Sequence, residues 1–286
     1  MTQSSHELAP VELQPNEFDR SFALRAYEQQ LPALHDRMAT VYASSTPIPC
    51  TITDPDHLLV LSNDELERLW GLFPEAARNR ALPARIEGDR PLWFSDTSTA
   101  NLKVTRNLDD GLSPTTFVLG VNELTWDESD GIGVKVYLYQ TPESVGFSRE
   151  VLRVSQAKVA VHEFAHSILT PDATNRSVEL ALPSGRRIIA ADYLSEMYEA
   201  AMRYPAISDY AAAYRREGFT EDRNLRKQAL HEELPETIAG YLLGFTVSVW
   251  RDGNPPELTF RPFEGRGDVE RLVHDYLHAE RVGIRT

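Results

Sequence analysis

Cysteine is almost absent from this chain of 286 residues, which contains only Cys50. A single cysteine cannot form an intramolecular disulfide, and a metal cluster built on several cysteines is excluded. No stretch reaches the roughly 18 consecutive apolar residues that a membrane-spanning helix needs. The N-terminus also lacks the basic start and apolar run of a secretory signal. We therefore expect a cytoplasmic protein, and export without a cleaved signal peptide stays open.

Basic residues are also scarce, because 29 lysines and arginines stand against 43 aspartates and glutamates, a formal net charge of −14. This balance opposes sequence-independent binding of nucleic acid, which requires cationic side chains to replace phosphate counterions. It equally opposes adhesion to anionic membranes. The hydrophobic fraction of 42% is typical of a soluble globular protein, and the length suffices for a sizeable core. We expect a folded, enzyme-sized protein whose oligomeric state the sequence leaves open.

Helical and strand patterns divide the chain into three regions. Residues 1–20 are polar and predict a loose leader. Residues 21–83 predict an N-terminal helical region, in which Pro32 breaks or kinks the first helical stretch. Residues 84–286 predict the main domain, which starts with a small, largely antiparallel sheet at 84–142 and continues as helices. This order indicates an α+β fold.

Two shorter signals refine the N-terminal region. The proline-rich segment 45–56 predicts a linker. Ser62, followed three residues later by Glu65, predicts the start of a helix through a capping box.

The motif with the strongest chemical meaning is His162-Glu163-Phe164-Ala165-His166, in which two histidines flank a glutamate with HExxH spacing. Four residues make about one helical turn, so both imidazoles lie on one face and can bind one ion. Apart from Glu163, the flanking residues 159–169 carry no aspartate, glutamate, lysine or arginine. Such a helix is expected to be buried, where its polar side chains need partners, and a metal ion provides them.

Glu163 follows the first predicted ligand, where it can lie beside an open coordination position. There it would accept a proton from a metal-activated water and deliver it to the leaving group. Zinc lowers the pKa of bound water to about 7, so hydroxide forms without a strong base. We therefore predict Zn²⁺ as the cofactor and Glu163 as the general base.

This segment resembles the active-site helix of the zincin metallopeptidases, and the resemblance implies a zincin-like fold that hydrolyses peptide bonds in peptide or protein substrates. Residues 134–140 resemble the edge strand that lines the substrate cleft in those enzymes, although a plain sheet strand fits equally well. In such folds an extended peptide adds to that edge through backbone hydrogen bonds. The metzincin pattern HExxHxxGxxH fails, because Leu169 and Asp172 occupy its last two defined positions.

A carboxylate third ligand, the gluzincin arrangement, is the remaining choice, and Glu236 is the leading candidate. Pro235 predicts that a buried helix begins there, with Glu236 in its first turn. The segment is similar to the Glu-x-x-Ala signature of the anthrax lethal factor and Pro-Pro endopeptidase group. That group has a second glutamate four residues after the ligand and a tyrosine seven residues before it. Here those positions are Gly240 and Ala229. The alternative ligands are Glu196, Glu199 and Glu233.

Hydrolysis also needs a hydrogen-bond donor for the developing oxyanion. The candidates are His231, Tyr241 and Tyr193. Together these features predict a zinc-dependent metallopeptidase. The alternatives are a zinc hydrolase of a non-peptide amide or ester, and a catalytically inactive zincin-like binding protein.

Overall fold

The computed structural model of the chain describes residues 20–82, 84–89, 92–94, 104–105, 116–118, 120–127, 131–139, 146–174, 177–208, 210–212, 215, 223–248 and 257–284. The predicted leader at 1–20 therefore lies, except for Arg20, outside the described residues.

Helices and strands alternate along these ranges. The principal helices are α1 Arg20–Gln29, α2 Leu31–Ser44, α3 Asn63–Gly71, α4 Glu75–Arg78, α5 Arg149–Thr174, α6 Ala190–Met202, α7 Arg223–Leu243 and α8 Gly267–Leu277. The strands are β1 Thr51–Thr53, β2 Ala84–Asp89, β3 Leu92–Phe94, β4 Val104–Thr105, β5 Thr116–Val118, β6 Gly120–Asp127, β7 Gly131–Tyr139, β8 Val178–Ala181, β9 Arg187–Ile189, β10 Phe245–Ser248, β11 Glu257–Phe260 and β12 Glu280–Ile284. The predicted α+β class is confirmed. No helix in the described ranges has the length and hydropathy to cross a bilayer.

The N-terminal helices begin and end where the local signals predict. Pro32 stands in the first turn of α2, where its missing N–H removes no helical hydrogen bond. The Ser62 hydroxyl caps α3, and the Glu65 carboxylate accepts a hydrogen bond from the Ser62 backbone N–H at 2.8 Å, which completes the capping box. The proline-rich segment is not a plain linker, because its residues Thr51–Thr53 pair with β2.

The main sheet has the strand order β1-β2-β7-β6. β1 pairs in parallel with β2, and β2 in parallel with β7, whereas β6 runs antiparallel to β7. The expectation of a largely antiparallel sheet is therefore wrong for this sheet, which is mixed, and holds for the smaller ones. Of the two alternatives for residues 134–140, the plain sheet strand is the correct one for the described residues 134–139, because β7 lies between β2 and β6. Among the described strands, β6 and β1 form the edges of this sheet.

Helix α5 packs against both β6 and β7. Thr170-Pro171-Asp172 is a typical helix-ending signal, so the sequence predicts that α5 ends there, but the helix continues to Thr174. Pro171 has no N–H to donate to the carbonyl of Ser167, four residues earlier. That carbonyl instead accepts a hydrogen bond from Leu82 N–H at 3.1 Å, so the proline leaves no buried acceptor unpaired.

One hydrophobic core joins the N-terminal helical region to the rest of the chain. Its buried members include Leu24 from α1, Leu66 from α3 and Phe164 from α5. The proposed boundary at residue 83 thus does not separate two hydrophobic cores. The C-terminal half adds α6, α7, α8 and the three-stranded sheet β12-β8-β9.

A buried ionic network fixes the C-terminal end of α5. The Asp172 carboxylate, which is fully buried, accepts hydrogen bonds from Arg80 at 2.5 Å and from the Tyr276 hydroxyl at 2.8 Å. Arg281 contributes a longer contact of 3.3 Å. Arg80 is itself buried, so its charge depends on Asp172 for compensation.

Replacing Asp172 with Asn should therefore destabilise the fold, because it leaves the guanidinium of Arg80 buried without a counter-ion. We expect the free energy of unfolding, measured by urea denaturation, to fall by about 3–5 kcal/mol. Glu196→Gln is the matched control, since it breaks an exposed ion pair with Arg186 and should cost at most about 1 kcal/mol. Equal effects of the two substitutions would contradict a structural role for the network.

Candidate metal centre

Helices α5 and α7 pack against each other and present complementary polar side chains. On α5, Lys158, His162 and His166 recur every four residues and therefore share one face. On α7, Glu232 and Glu236 share a face in the same way. Lys158 contacts Glu236 and His166 contacts Glu232, with His162 between them near both glutamates, so the two rows run in opposite directions. We call these five side chains the polar ladder.

Three atoms of the polar ladder converge on one point. The Nε2 atoms of His162 and His166 lie 3.1 Å apart. Oε2 of Glu232 lies 3.3 Å from the first and 3.7 Å from the second. Both histidines are buried and the glutamate is partly buried. These three residues could hold a metal ion, and no other such group of histidine, cysteine, aspartate or glutamate is found among the described residues.

Glu236, the predicted third ligand, contacts the other side of His162. Its Oε1 lies 2.9 Å from Nδ1 of His162, the ring nitrogen that faces away from His166. The same oxygen accepts a hydrogen bond from the ammonium group of Lys158. Glu236 is therefore not a member of the three-residue group. Its carboxylate is placed to orient the imidazole and to select the tautomer whose Nε2 is free to bind a metal.

Sequence reasoning missed Glu232 because of Pro235. A proline is common in the first turn of a helix, so we expected the helix to begin there. That expectation is wrong, since α7 already begins at Arg223 and Pro235 lies inside it. Glu232 is therefore helical and shares a face with Glu236. A usable signal was the second glutamate four residues after the ligand, because counting from Glu232 places Glu236 at that position.

The electrostatics of the metal-free cluster reflect burial and close contact. Burial opposes protonation of His162, but hydrogen bonds to Glu232 and Glu236 outweigh it and raise its pKa to about 9. Burial lowers the pKa of His166, and the neighbouring imidazole lowers it further. Burial alone would raise the pKa of both glutamates. The charge of Lys158 and the contact with His162 instead lower that of Glu236, and hydrogen bonds to both histidines lower that of Glu232.

The predicted general base, Glu163, is buried next to this cluster, with 6% of its surface exposed. Its negative charge contributes to the raised pKa of His162, so the two groups are close enough to interact. The structure thus brings His162, Glu163 and His166 together on one turn of α5.

Tyr210, which the sequence reasoning did not select, contacts the cluster directly. Its hydroxyl donates a hydrogen bond to Oε2 of Glu232 at 3.1 Å. Its ring lies edge-on to that of His162, with 5.5 Å between the centroids. Nothing in the local sequence distinguishes Tyr210 from other tyrosines, because its contact with Glu232 joins residues 22 positions apart in the chain.

Two of the three predicted oxyanion donors, Tyr241 and Tyr193, make their described contacts away from the cluster. Tyr241 packs against Phe263, and its pKa is raised by burial and by Glu270 and Asp275 of α8. The hydroxyl of Tyr193 donates to the carbonyl of Leu272 at 3.2 Å. His231 belongs to α7, but its side chain lies outside the described residues.

The alternative glutamates are engaged away from the cluster. Both carboxylate oxygens of Glu233 accept hydrogen bonds from Arg215, at 2.6 and 2.8 Å. Glu196 pairs with Arg186 in an exposed position, and Glu199 is exposed. Among the described glutamates, only Glu232 therefore belongs to the group that could hold a metal ion.

Comparisons with known proteins return no relative. The chain matches no protein-family model, no curated protein and no solved structure. The chemistry of the site therefore has to be argued from its own residues.

Metal removal should lower the stability of the protein, because an ion bound only by the folded chain stabilises it. At a free Zn²⁺ concentration 100 times the dissociation constant, we expect the free energy of unfolding to exceed that of the chelator-treated protein by about 2.7 kcal/mol. Denaturant unfolding of both forms measures this difference. The difference should disappear in His162→Ala and persist in His274→Ala, which alters an exposed histidine of α8. A zinc effect that survives in His162→Ala would refute the site.

Proposed function

We propose that the chain is a zinc-dependent metallopeptidase with a zincin-like fold, in which His162, His166 and Glu232 bind the metal ion. Glu163 is the general base. The observation that carries the proposal is the convergence of the three ligand atoms beside Glu163 in a buried interface between two helices.

The distances between the ligand atoms support zinc. Tetrahedral zinc binds histidine nitrogen and carboxylate oxygen at about 2.0–2.2 Å, which separates neighbouring ligand atoms by roughly 3.3–3.5 Å. The three distances here, 3.1, 3.3 and 3.7 Å, bracket that value. Two histidines and one carboxylate are also the donor set of catalytic zinc sites that keep a fourth position open for water or substrate.

Bound zinc supplies a Lewis acid that polarises a carbonyl group and lowers the pKa of water. Glu163 accepts the proton of the attacking water and transfers it to the nitrogen of the leaving amine. The hydroxyl of Tyr210 donates to Glu232 in the metal-free protein and would turn from it to donate a hydrogen bond to the carbonyl oxygen as negative charge develops there. Glu236 accepts the Nδ1 proton of His162 and so fixes the orientation of that ring.

The edge strand β6 supports a peptide as the substrate. It forms one side of the main sheet and packs against α5, the helix that carries the two histidines. The outer edge of such a strand presents N–H and C=O groups to which an extended peptide can add as a further strand. This role falls to β6 and not to β7, whose two sides are both paired.

Glu163→Gln tests the catalytic role of the glutamate. The amide has nearly the same shape but cannot accept the proton, so we expect cleavage of a diverse peptide library to fall below detection. Zinc content, measured by elemental analysis, should stay at the wild-type level. Metal loss in this variant would argue for a structural role instead. A zinc-loaded wild-type protein that cleaves no peptide would favour the non-peptide hydrolase or the inactive binding protein.

Tyr210→Phe tests the hydrogen-bond donor. Removing one donor to the oxyanion should lower kcat by about 10²–10³-fold, with zinc content unchanged. Tyr241→Phe removes the hydroxyl of a tyrosine on the same helix as Glu232 that packs against Phe263, and kcat should stay near the wild-type value. A large loss of kcat in Tyr241→Phe, with little loss in Tyr210→Phe, would instead identify Tyr241 as the oxyanion donor.

A further inference from the structure

Lys158 occupies the end of the polar ladder and has no part in the chemistry described above. We propose that Lys158 is a positioning residue of the metal centre. Its ion pair holds Glu236 on the Nδ1 side of His162, where Glu236 orients the imidazole instead of binding the metal ion itself. This inference rests on the proposed function, because it assumes that His162 is a metal ligand.

Lys158 and His162 share one oxygen of Glu236. Oε1 of Glu236 contacts both the ammonium group of Lys158 and Nδ1 of His162, the latter at 2.9 Å. Its other oxygen, Oε2, is buried and has no hydrogen-bond partner among the described residues. The orientation of this carboxylate therefore depends on two donors that act on the same atom. Without Lys158 a single described donor would remain, and the carboxylate could rotate.

The ion pair between Lys158 and Glu236 is largely buried. The Glu236 side chain is 2% exposed and that of Lys158 is 13% exposed, so solvent screens their interaction little. A buried carboxylate without a counter-ion is costly. If Lys158 were absent, the strongest remaining cation near Glu236 would be the metal ion. The lysine thus keeps an anionic side chain close to the metal without letting it become a ligand.

The spacing of Lys158 along α5 places it on the same helical face as the histidines. Lys158 lies four residues before His162, which lies four residues before His166, and so each shares a face with the next. The long lysine side chain reaches across to α7 at the level of Glu236. Glu232 is left to pair with the two imidazoles. The register of the two helices therefore pairs Lys158 with Glu236, while His162 lies between the two glutamates.

Zinc affinity, measured by competition with a chromophoric chelator, tests the proposal. Lys158→Met keeps the length of the side chain and removes its charge, and we expect the affinity to fall by about 10–100-fold. Glu236→Gln should cause a similar loss. The double variant should bind zinc no more weakly than the weaker single variant, because both substitutions disable one orienting unit. Lys158→Arg, which keeps the ion pair, should restore most of the affinity.

A spectroscopic readout separates positioning from general destabilisation. We expect the visible spectrum of the Co²⁺-substituted protein to change in Lys158→Met and to return towards the wild type in Lys158→Arg. Arg153→Met is the matched control, since it removes an ion pair with Glu65 from a more exposed part of the same helix. It should change neither the affinity nor the spectrum. If Lys158→Met does not fold, Lys158→Gln replaces it, with the same loss expected.

The outcomes separate this inference from the proposed function. A wild-type protein that binds no zinc would overturn both. Zinc binding in the wild type, together with unchanged or higher affinity in Lys158→Met, would overturn the positioning role alone. Additive losses in the double variant would also overturn it, because Lys158 and Glu236 would then act independently.

Discussion

The interaction on which the site depends is the antiparallel packing of α5 on α7 with the polar ladder inside it. Apolar side chains such as Phe164 and Ile238 belong to the surrounding core, and the described polar groups between the helices contact one another and Tyr210. The packing of the two helices therefore also sets the positions of the candidate metal ligands. The register that pairs Lys158 with Glu236 also brings Glu232 to the two imidazoles.

Both helices are also held by contacts outside the polar ladder. On α5, the side-chain oxygen of Gln156 accepts hydrogen bonds from the backbone of Val60 and Leu61, and Asp172 joins the buried ionic network near the C-terminal end. On α7, Glu233 binds Arg215, and Arg37 donates to the carbonyl of Leu243 in the last turn. Side chains carried on helices fixed in this way are held in place without a bound ion, which is what a preorganised metal centre requires.

Local signals predicted much of the fold but not all of it. The capping box at Ser62, the helical break near Pro32 and the HExxH helix follow from interactions within a few residues. The predictions that α5 ends at Pro171 and that a helix begins at Pro235 are both wrong, because each proline lies inside a helix. A proline weakens a helix locally, and tertiary packing can compensate that cost. For Pro171 the compensation is visible, because Leu82 takes the carbonyl that the proline leaves free.

The sequence by itself determined that His162 and His166 share a helical face with Glu163 between them, because the period of the α-helix fixes that arrangement within a single turn. It also led us to predict a carboxylate as the third ligand of the proposed metal ion, with Glu236 as the leading candidate. Only the tertiary structure placed Glu232 beside both imidazoles, brought Tyr210 to Glu232 and put β6, not β7, at an edge of the main sheet among the described strands. Those choices depend on the register between elements far apart in the chain, which is set by packing across the whole core and not by local spacing.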